Sequence, residues 1–297
     1  MNLMLLAFGP NLRNHHQACF AILTLLKESP PPRITVYTDM PELYRAFLGR
    51  RVVLETTPYE KLQRWQGRHQ FFWRIKCMAV QEMARRHPGE HLIYVDSDTF
   101  LADGLHSGVV RKLEAGTALM HEDEGLLRSL RTRTERGTWE ALRGRRFCGV
   151  PVDRSTRMWN AGVIAIPGAH AEAVADRVVE VCDALCETPA PRRLLEQLAF
   201  SVTLEHLVGI EPASPWVGHY WGNKDEWNAA IGQFLIASRL GKRTLDDDIA
   251  LLRDFDFSRI PVRKKQKNTK LRLQRLLDQH FPLRETIYFA NARDSET

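Results

Sequence analysis

The sequence predicts an α/β fold in which a mainly parallel sheet is flanked by helices. Three observations lead there. In the first third of the chain, short unbroken apolar runs alternate with longer stretches at helical spacing, the pattern of parallel strands joined by helical crossovers. A later apolar run, Leu92 to Val95, stops abruptly at Asp96-Ser97-Asp98, so chemistry is concentrated just past a strand. Finally, 297 residues of which 44% are hydrophobic and 26% charged suit one large α/β domain with insertions, and exclude broad disorder.

Taken in order, Leu3 to Phe8 is an apolar run closed by Gly9-Pro10, as expected of a buried central strand. Asn14 to Glu28 places Ala18, Ile22, Leu25 and Leu26 on one helical face, and Ser29 with three prolines ends it. Ile34 to Thr38 is a second strand. Asp39 ahead of Met40-Pro41-Glu42 reads as a helix start, with cap, proline and acid in order, and Gly49 as its stop. Val52 to Thr56 is a third strand. Gln70 to Arg86 is helical through Ile75, Met78, Ala79 and Met83, and His87-Pro88-Gly89 turns the chain into the run that ends at Asp96.

Thr117 to Met120 is another short strand. The segment from about 121 to 158 is rich in arginine and glycine with little apolar periodicity, and reads as an excursion from the sheet that is partly helical and mobile. Trp159-Asn160-Ala161-Gly162 leads into the strand Val163 to Ile166. Helices follow over Ala169 to Leu185 and Leu194 to Leu207, and Pro212 to Gly222 is an aromatic-rich loop holding Trp216, His219, Tyr220 and Trp221. The expected division is a catalytic body over 1–262 and a tail over 263–297, where a lysine-rich run precedes Leu273, Leu276, Leu277 and Phe281 on one helical face. Such a basic amphipathic helix suits either an acidic membrane surface or its own domain.

The net charge of +6 favours anionic partners. Five cysteines without a Cys-x-x-Cys pair read as reduced thiols of a cytoplasmic protein, with Cys182 and Cys186 structural. Met1 to Phe8 lacks a basic leader and a cleavage site, so it reads as a strand and not a signal peptide, and no apolar run reaches the length of a membrane span. Asp96 and Asp98 alternate to the same side of an extended backbone. As close carboxylates they repel, which a hard divalent cation would relieve while keeping sites open for phosphate; two solvated loop residues are the plainer alternative.

Taken together, Tyr94-Val95-Asp96-Ser97-Asp98-Thr99, Asp103-Gly104-Leu105, Trp159-Asn160-Ala161-Gly162-Val163, Glu196-Gln197 and His219-Tyr220-Trp221-Gly222 resemble, in order and approximate spacing, the retaining GT-A glycosyltransferases, above all glycosyltransferase family 8. The resemblance runs from the first strand to about Trp227. It implies a GT-A fold and a manganese or magnesium ion held by Asp96, Asp98 and His219 on the diphosphate of a nucleotide sugar, with a UDP-sugar the expected donor. It further implies nucleotide-sugar contacts from Ala7, Phe8, Asn11, Arg74, Lys76, Ser97, Asn160, Gly222 and Lys224. Glu196 and Gln197 would flank the anomeric carbon as the catalytic pair. The implied reaction is hexose transfer to a saccharide or lipid-linked acceptor, with retention.

The chain departs from the family pattern in three places. Gly9-Pro10-Asn11 stands where an acidic residue often follows the first strand, which leaves the base open; Lys224 lies one residue nearer the histidine than usual; and Glu196 replaces an aspartate. Two rival readings remain. A haloacid-dehalogenase-like phosphatase would use Asp96 as nucleophile, but has Thr or Val where this chain has Phe100. A nucleic-acid-binding protein would use the basic surface, yet no base-reading motif is present and no specific nucleic acid is expected.

Overall fold

The computed structural model describes residues 1–264 together with Leu273, Leu276 and Leu277. It divides into two units, Met1–Val262 and Arg263–Thr297. The amphipathic helix expected in the second unit lies outside the described residues, apart from the three leucines, which are exposed.

The elements of the first unit are, in order, β1 (Asn2–Ala7), α1 (Leu12–Leu26), β2 (Arg33–Thr38), α2 (Pro41–Leu48), β3 (Val53–Thr56), α3 (Tyr59–Gln66), α4 (Arg74–Arg86), β4 (Leu92–Val95), β5 (Thr99–Leu101), α5 (Arg111–Glu114), β6 (Ala118–Met120), β7 (Asp123–Leu126), α6 (Arg133–Leu142), β8 (Arg145–Phe147), β9 (Val150–Val152), β10 (Arg157–Trp159), β11 (Val163–Ile166), α7 (Ala171–Cys186), α8 (Leu195–Leu207), β12 (Ile210–Pro212), β13 (Val217–His219), α9 (Lys224–Leu240) and α10 (Leu245–Arg253). Seven strands form one sheet in the order β3-β2-β1-β4-β11-β6-β12. All its pairings are parallel except those of β11, which runs antiparallel to both β4 and β6. This is the predicted α/β architecture, a mostly parallel sheet between helices.

Alternation along the strands sorts the core into two layers. Leu3, Leu5, Val36, Ile93 and Val95 face one side with the buried residues of α1, α2, α9 and α10. Met4, Tyr37, Leu92 and Tyr94 face the other with those of α3, α4, α7 and α8. Tyr94 and Asp96 therefore share a side, and the tyrosine hydroxyl donates to Asp96 Oδ1 at 2.5 Å.

Three local readings change. Asp39 does not cap α2: Met40 holds that position, Pro41 opens the helix, and the Asp39 carboxylate accepts instead from the Gly9 N–H at 2.9 Å, tying the ends of β1 and β2 together. Val163 to Ile166, expected as a further strand of a mainly parallel sheet, is reversed as β11. Val163 pairs with Val95 and Ile166 with Leu92, so it is the amino end of β11 that lies beside Asp96. The arginine-rich excursion is a packed subassembly: β7 pairs β10, β8 pairs β9, and Leu127, Leu142, Phe147, Val150, Val152 and Met158 are buried in the core.

Candidate metal centre

β4 ends against β11, and the Asp96 N–H donates to the Gly162 carbonyl at 2.8 Å. The next turn carries Asp98, and the Thr99 hydroxyl bonds back to the Asp96 carbonyl at 2.8 Å. β5 then pairs with β13 so that His219 stands opposite Thr99, a register that brings a histidine from far along the chain over the two aspartates. One ligand atom from each of Asp96, Asp98 and His219 lies within 4.8 Å of the others. His219 Nε2 is 3.4 Å from Asp98 Oδ1 and 3.9 Å from Asp96 Oδ2.

The residues present fit a hard divalent cation. His219 Nδ1 sits 3.0 Å from Asn160 Oδ1, which also accepts the Gly162 N–H at 3.0 Å. An amide oxygen can only accept, so Nδ1 carries a proton and Nε2 is the ring nitrogen turned toward the aspartates, the one placed to serve as a metal ligand. A Cβ on Gly162 would overlap the imidazole, so glycine is required for the ring to lie there. Two carboxylates and one imidazole suit manganese or magnesium. Burial would raise the Asp98 carboxyl, but His219 and then Lys224, whose Nζ is 2.8 Å from Asp98 Oδ2, hold it well below the ordinary range. It is a carboxylate at neutral pH.

Lys76 is the second anchor. Its ammonium lies 3.2 Å from Asp96 Oδ1 and 3.0 Å from Glu196 Oε1, and donates to the Ala161 carbonyl at 3.1 Å. Burial alone would lower this ammonium, yet Asp96 and Glu196 outweigh it and hold it above the ordinary lysine value. Burial likewise raises Glu196, with Lys76 offsetting only part. Glu196 is thus enclosed in an ion pair, whereas its neighbour Gln197 is half-buried and donates from Nε2 to Glu124 Oε2 at 2.9 Å. Asn160 Nδ2 donates to the other oxygen of Glu124 at 3.2 Å. Glu124, which the sequence reading did not single out, therefore joins two predicted site residues. The available signal was its place four residues past β6, at the carboxyl end of a parallel strand.

Of the remaining predicted residues, Ser97 and Lys224 lie at the centre and the others do not touch it. Arg74 turns its charge to other partners: Nε and Nη2 hold Asp183 at 2.5 and 2.8 Å, and Nη1 holds the Trp65 carbonyl at 2.8 Å. Ala7 is buried at the end of β1, and Phe8 lies against Phe72 with ring centroids 5.9 Å apart. Asn11 caps α1, its side chain accepting from the Arg13 N–H at 3.1 Å. Ser97 is half-buried between the aspartates, and Gly222 and Lys224 lie at the start of α9. Below the centre, Phe100, Tyr220, Trp227 and Phe257 stack with ring centroids 4.5 to 6.4 Å apart.

No family model and no curated protein matches the chain. Among solved structures it is similar to one from Bacillus anthracis named as a glucose-1-phosphate thymidylyltransferase, with 13% identity over 86% of this chain and 97% of that one and a TM-score of 0.43. It is similar to the galactosyltransferase LgtC in complex with donor and acceptor sugar analogs, with 12% identity, 78% and 96% coverage, and a TM-score of 0.43. The glycosyltransferase GlyE of Streptococcus pneumoniae matches at 13% identity over 83% of this chain and 50% of that one, with a TM-score of 0.41. Likenesses at this level carry no argument about chemistry, which rests on the geometry of the site. Among the described residues, no helix is long and apolar enough to cross a membrane.

Proposed function

We propose that the chain is a metal-dependent glycosyltransferase of the GT-A kind, moving a hexose from a nucleotide-diphospho-sugar to a saccharide or lipid-linked acceptor with retention. The observation that carries this reading is the Asp96–Asp98–His219 cluster with Nε2 of the histidine turned toward both carboxylates. Asp96, Asp98 and His219 would hold the cation, which when bound supplies charge stabilisation for a departing nucleoside diphosphate. Lys224 and the amino end of α9 add positive charge at the same place. Glu124, held by Asn160 and Gln197, offers acceptors to sugar hydroxyls. Lys76 holds Asp96 and Glu196 in place from beneath. In this arrangement Gln197, and not the enclosed Glu196, is the member of the predicted pair that faces the sugar.

The phosphatase alternative gains no support. Asp96 Oδ1 is bound by the Tyr94 hydroxyl and Lys76, which ties down the carboxylate that would have to attack phosphorus.

The test is a panel of sugar nucleotides followed by thermal shift in manganese, magnesium or chelator. A rise that requires both metal and one nucleotide supports the proposal and identifies the donor. If Asp98→Asn and His219→Ala bind nucleoside diphosphate in manganese as tightly as the parent, the metal assignment is wrong.

A further inference from the structure

Outside the Asp/His centre, a cavity of about 670 Å³ opens in the arginine-rich subassembly, lined by Arg128, Trp139, Arg143, Gly144, Asp153 and Arg154. Three guanidiniums against one carboxylate leave this lining net positive. The carboxylate is already engaged: Asp153 Oδ1 accepts from the Ser155 N–H at 2.8 Å and the Ser155 hydroxyl at 2.6 Å, bonds that hold it below the ordinary range. Arg143 pairs with Glu140 at 2.9 Å on an exposed face. The other two arginines lack such a partner. Arg128 Nε donates to the Arg154 carbonyl at 3.1 Å, and among the described residues neither side chain forms an ion pair.

Arg128 and Arg154 are exposed and, among the described residues, paired with no carboxylate, which leaves their guanidiniums able to take an anion, and their planar forks match the oxygens of phosphate. One lining residue is aromatic. Trp139 is half-buried on α6, giving an apolar face that suits the carbon-bound hydrogens of a sugar ring. The scaffold is firm: Thr132 and Glu135 form a reciprocal cap at the start of α6, and Arg128 sits in the short helical turn Leu127–Ser129 that follows β7. β7 itself carries Glu124. Four residues of extended chain reach at most about 14 Å, so the cavity begins within a short saccharide's length of the Glu124–Asn160–Gln197 network.

We propose that this cavity is an acceptor subsite for a sugar carrying a phosphate group, with Arg128 and Arg154 taking the phosphate and Trp139 lying under the ring. The word acceptor rests on the transferase reading; the binding of a phosphorylated sugar does not.

Titration calorimetry of the full chain with glucose 6-phosphate, glucose and inorganic phosphate tests it. Glucose 6-phosphate is expected to bind at least about tenfold more tightly than either other probe, the worth of one charge-assisted hydrogen bond. Arg128→Gln with Arg154→Gln should abolish the preference over glucose, and Trp139→Ala should abolish the preference over inorganic phosphate. Arg131→Gln, outside the cavity, should change neither. Equal binding of the three probes, or a preference that survives the double arginine variant in a protein of unchanged melting temperature, overturns the proposal. Manganese-dependent binding of nucleoside diphosphate is measured on the same variants and should be unaltered. Its absence from the parent, alongside arginine-dependent binding of glucose 6-phosphate, would sink the transferase reading and leave a sugar-phosphate site standing.

Discussion

At the scale of single residues, the centre depends on two kinds of support. Gly162 leaves room for the His219 ring, and Asn160 fixes its tautomer. Gly162→Ala must push the ring off the aspartates, so manganese affinity by calorimetry should fall by about 10–100-fold, the usual effect of disturbing a ligand's outer partner. The Lys76–Glu196 pair makes a different demand. Lys76→Met removes a buried cation and leaves Glu196 enclosed without a counter-charge, which should cost about 3–5 kcal/mol in urea unfolding. Adding Glu196→Gln to Lys76→Met should recover much of that loss, because a neutral amide is less costly to bury. A double variant no more stable than Lys76→Met would show that the ion pair is not what Lys76 contributes.

At the scale of elements, α6 offers the cleanest test of local structure. Thr132 accepts the Glu135 N–H while the Glu135 side chain accepts the Thr132 N–H, and Thr132→Ala should lower stability by about 0.5–2 kcal/mol by thermal melting. Elements also show what was legible beforehand. β1, β2 and β4 are largely apolar runs buried in the sheet, and burial that complete leaves a mark in sequence, whereas β3 is a partly exposed edge strand. α3 was missed because Leu62 and Trp65 are its only buried side chains. α9 was missed although Trp227, Ile231 and Leu235 recur at helical spacing, because the aromatic loop before it drew the reading. The reversal of β11 and the pairing of β13 with β5 leave no local trace, since antiparallel and parallel partners demand similar apolar runs. Asp96 and Asp98 were legible as close carboxylates that a cation could relieve, although it is the turn after β4, and not strand alternation, that carries Asp98. Glu124 was not, because its partners Asn160 and Gln197 arrive from two other elements. The pairing of Arg74 with Asp183 was illegible for a related reason: nothing near either residue in sequence announces the other.

At the scale of the whole molecule, a cation that binds only the folded chain must stabilise it. At a hundredfold excess over its dissociation constant, manganese should add about 2.7 kcal/mol, seen as a raised melting temperature in the parent and lost in Asp98→Asn. The basic run near residue 263 leads to a second expectation: the full chain should co-sediment with acidic vesicles more than one ending at Val262, and the difference should shrink with salt. Co-sedimentation that is unchanged by truncation would remove the membrane from the account. The strand pairing that sets His219 opposite Thr99 also has a consequence for synthesis. A ribosome delivers Asp96 and Asp98 long before His219, and contacts so distant in sequence close late. No amino-terminal portion that stops short of β13 holds all three residues, so tight uptake of an ion would mark the moment at which the chain has been made through β13 and has paired it with β5.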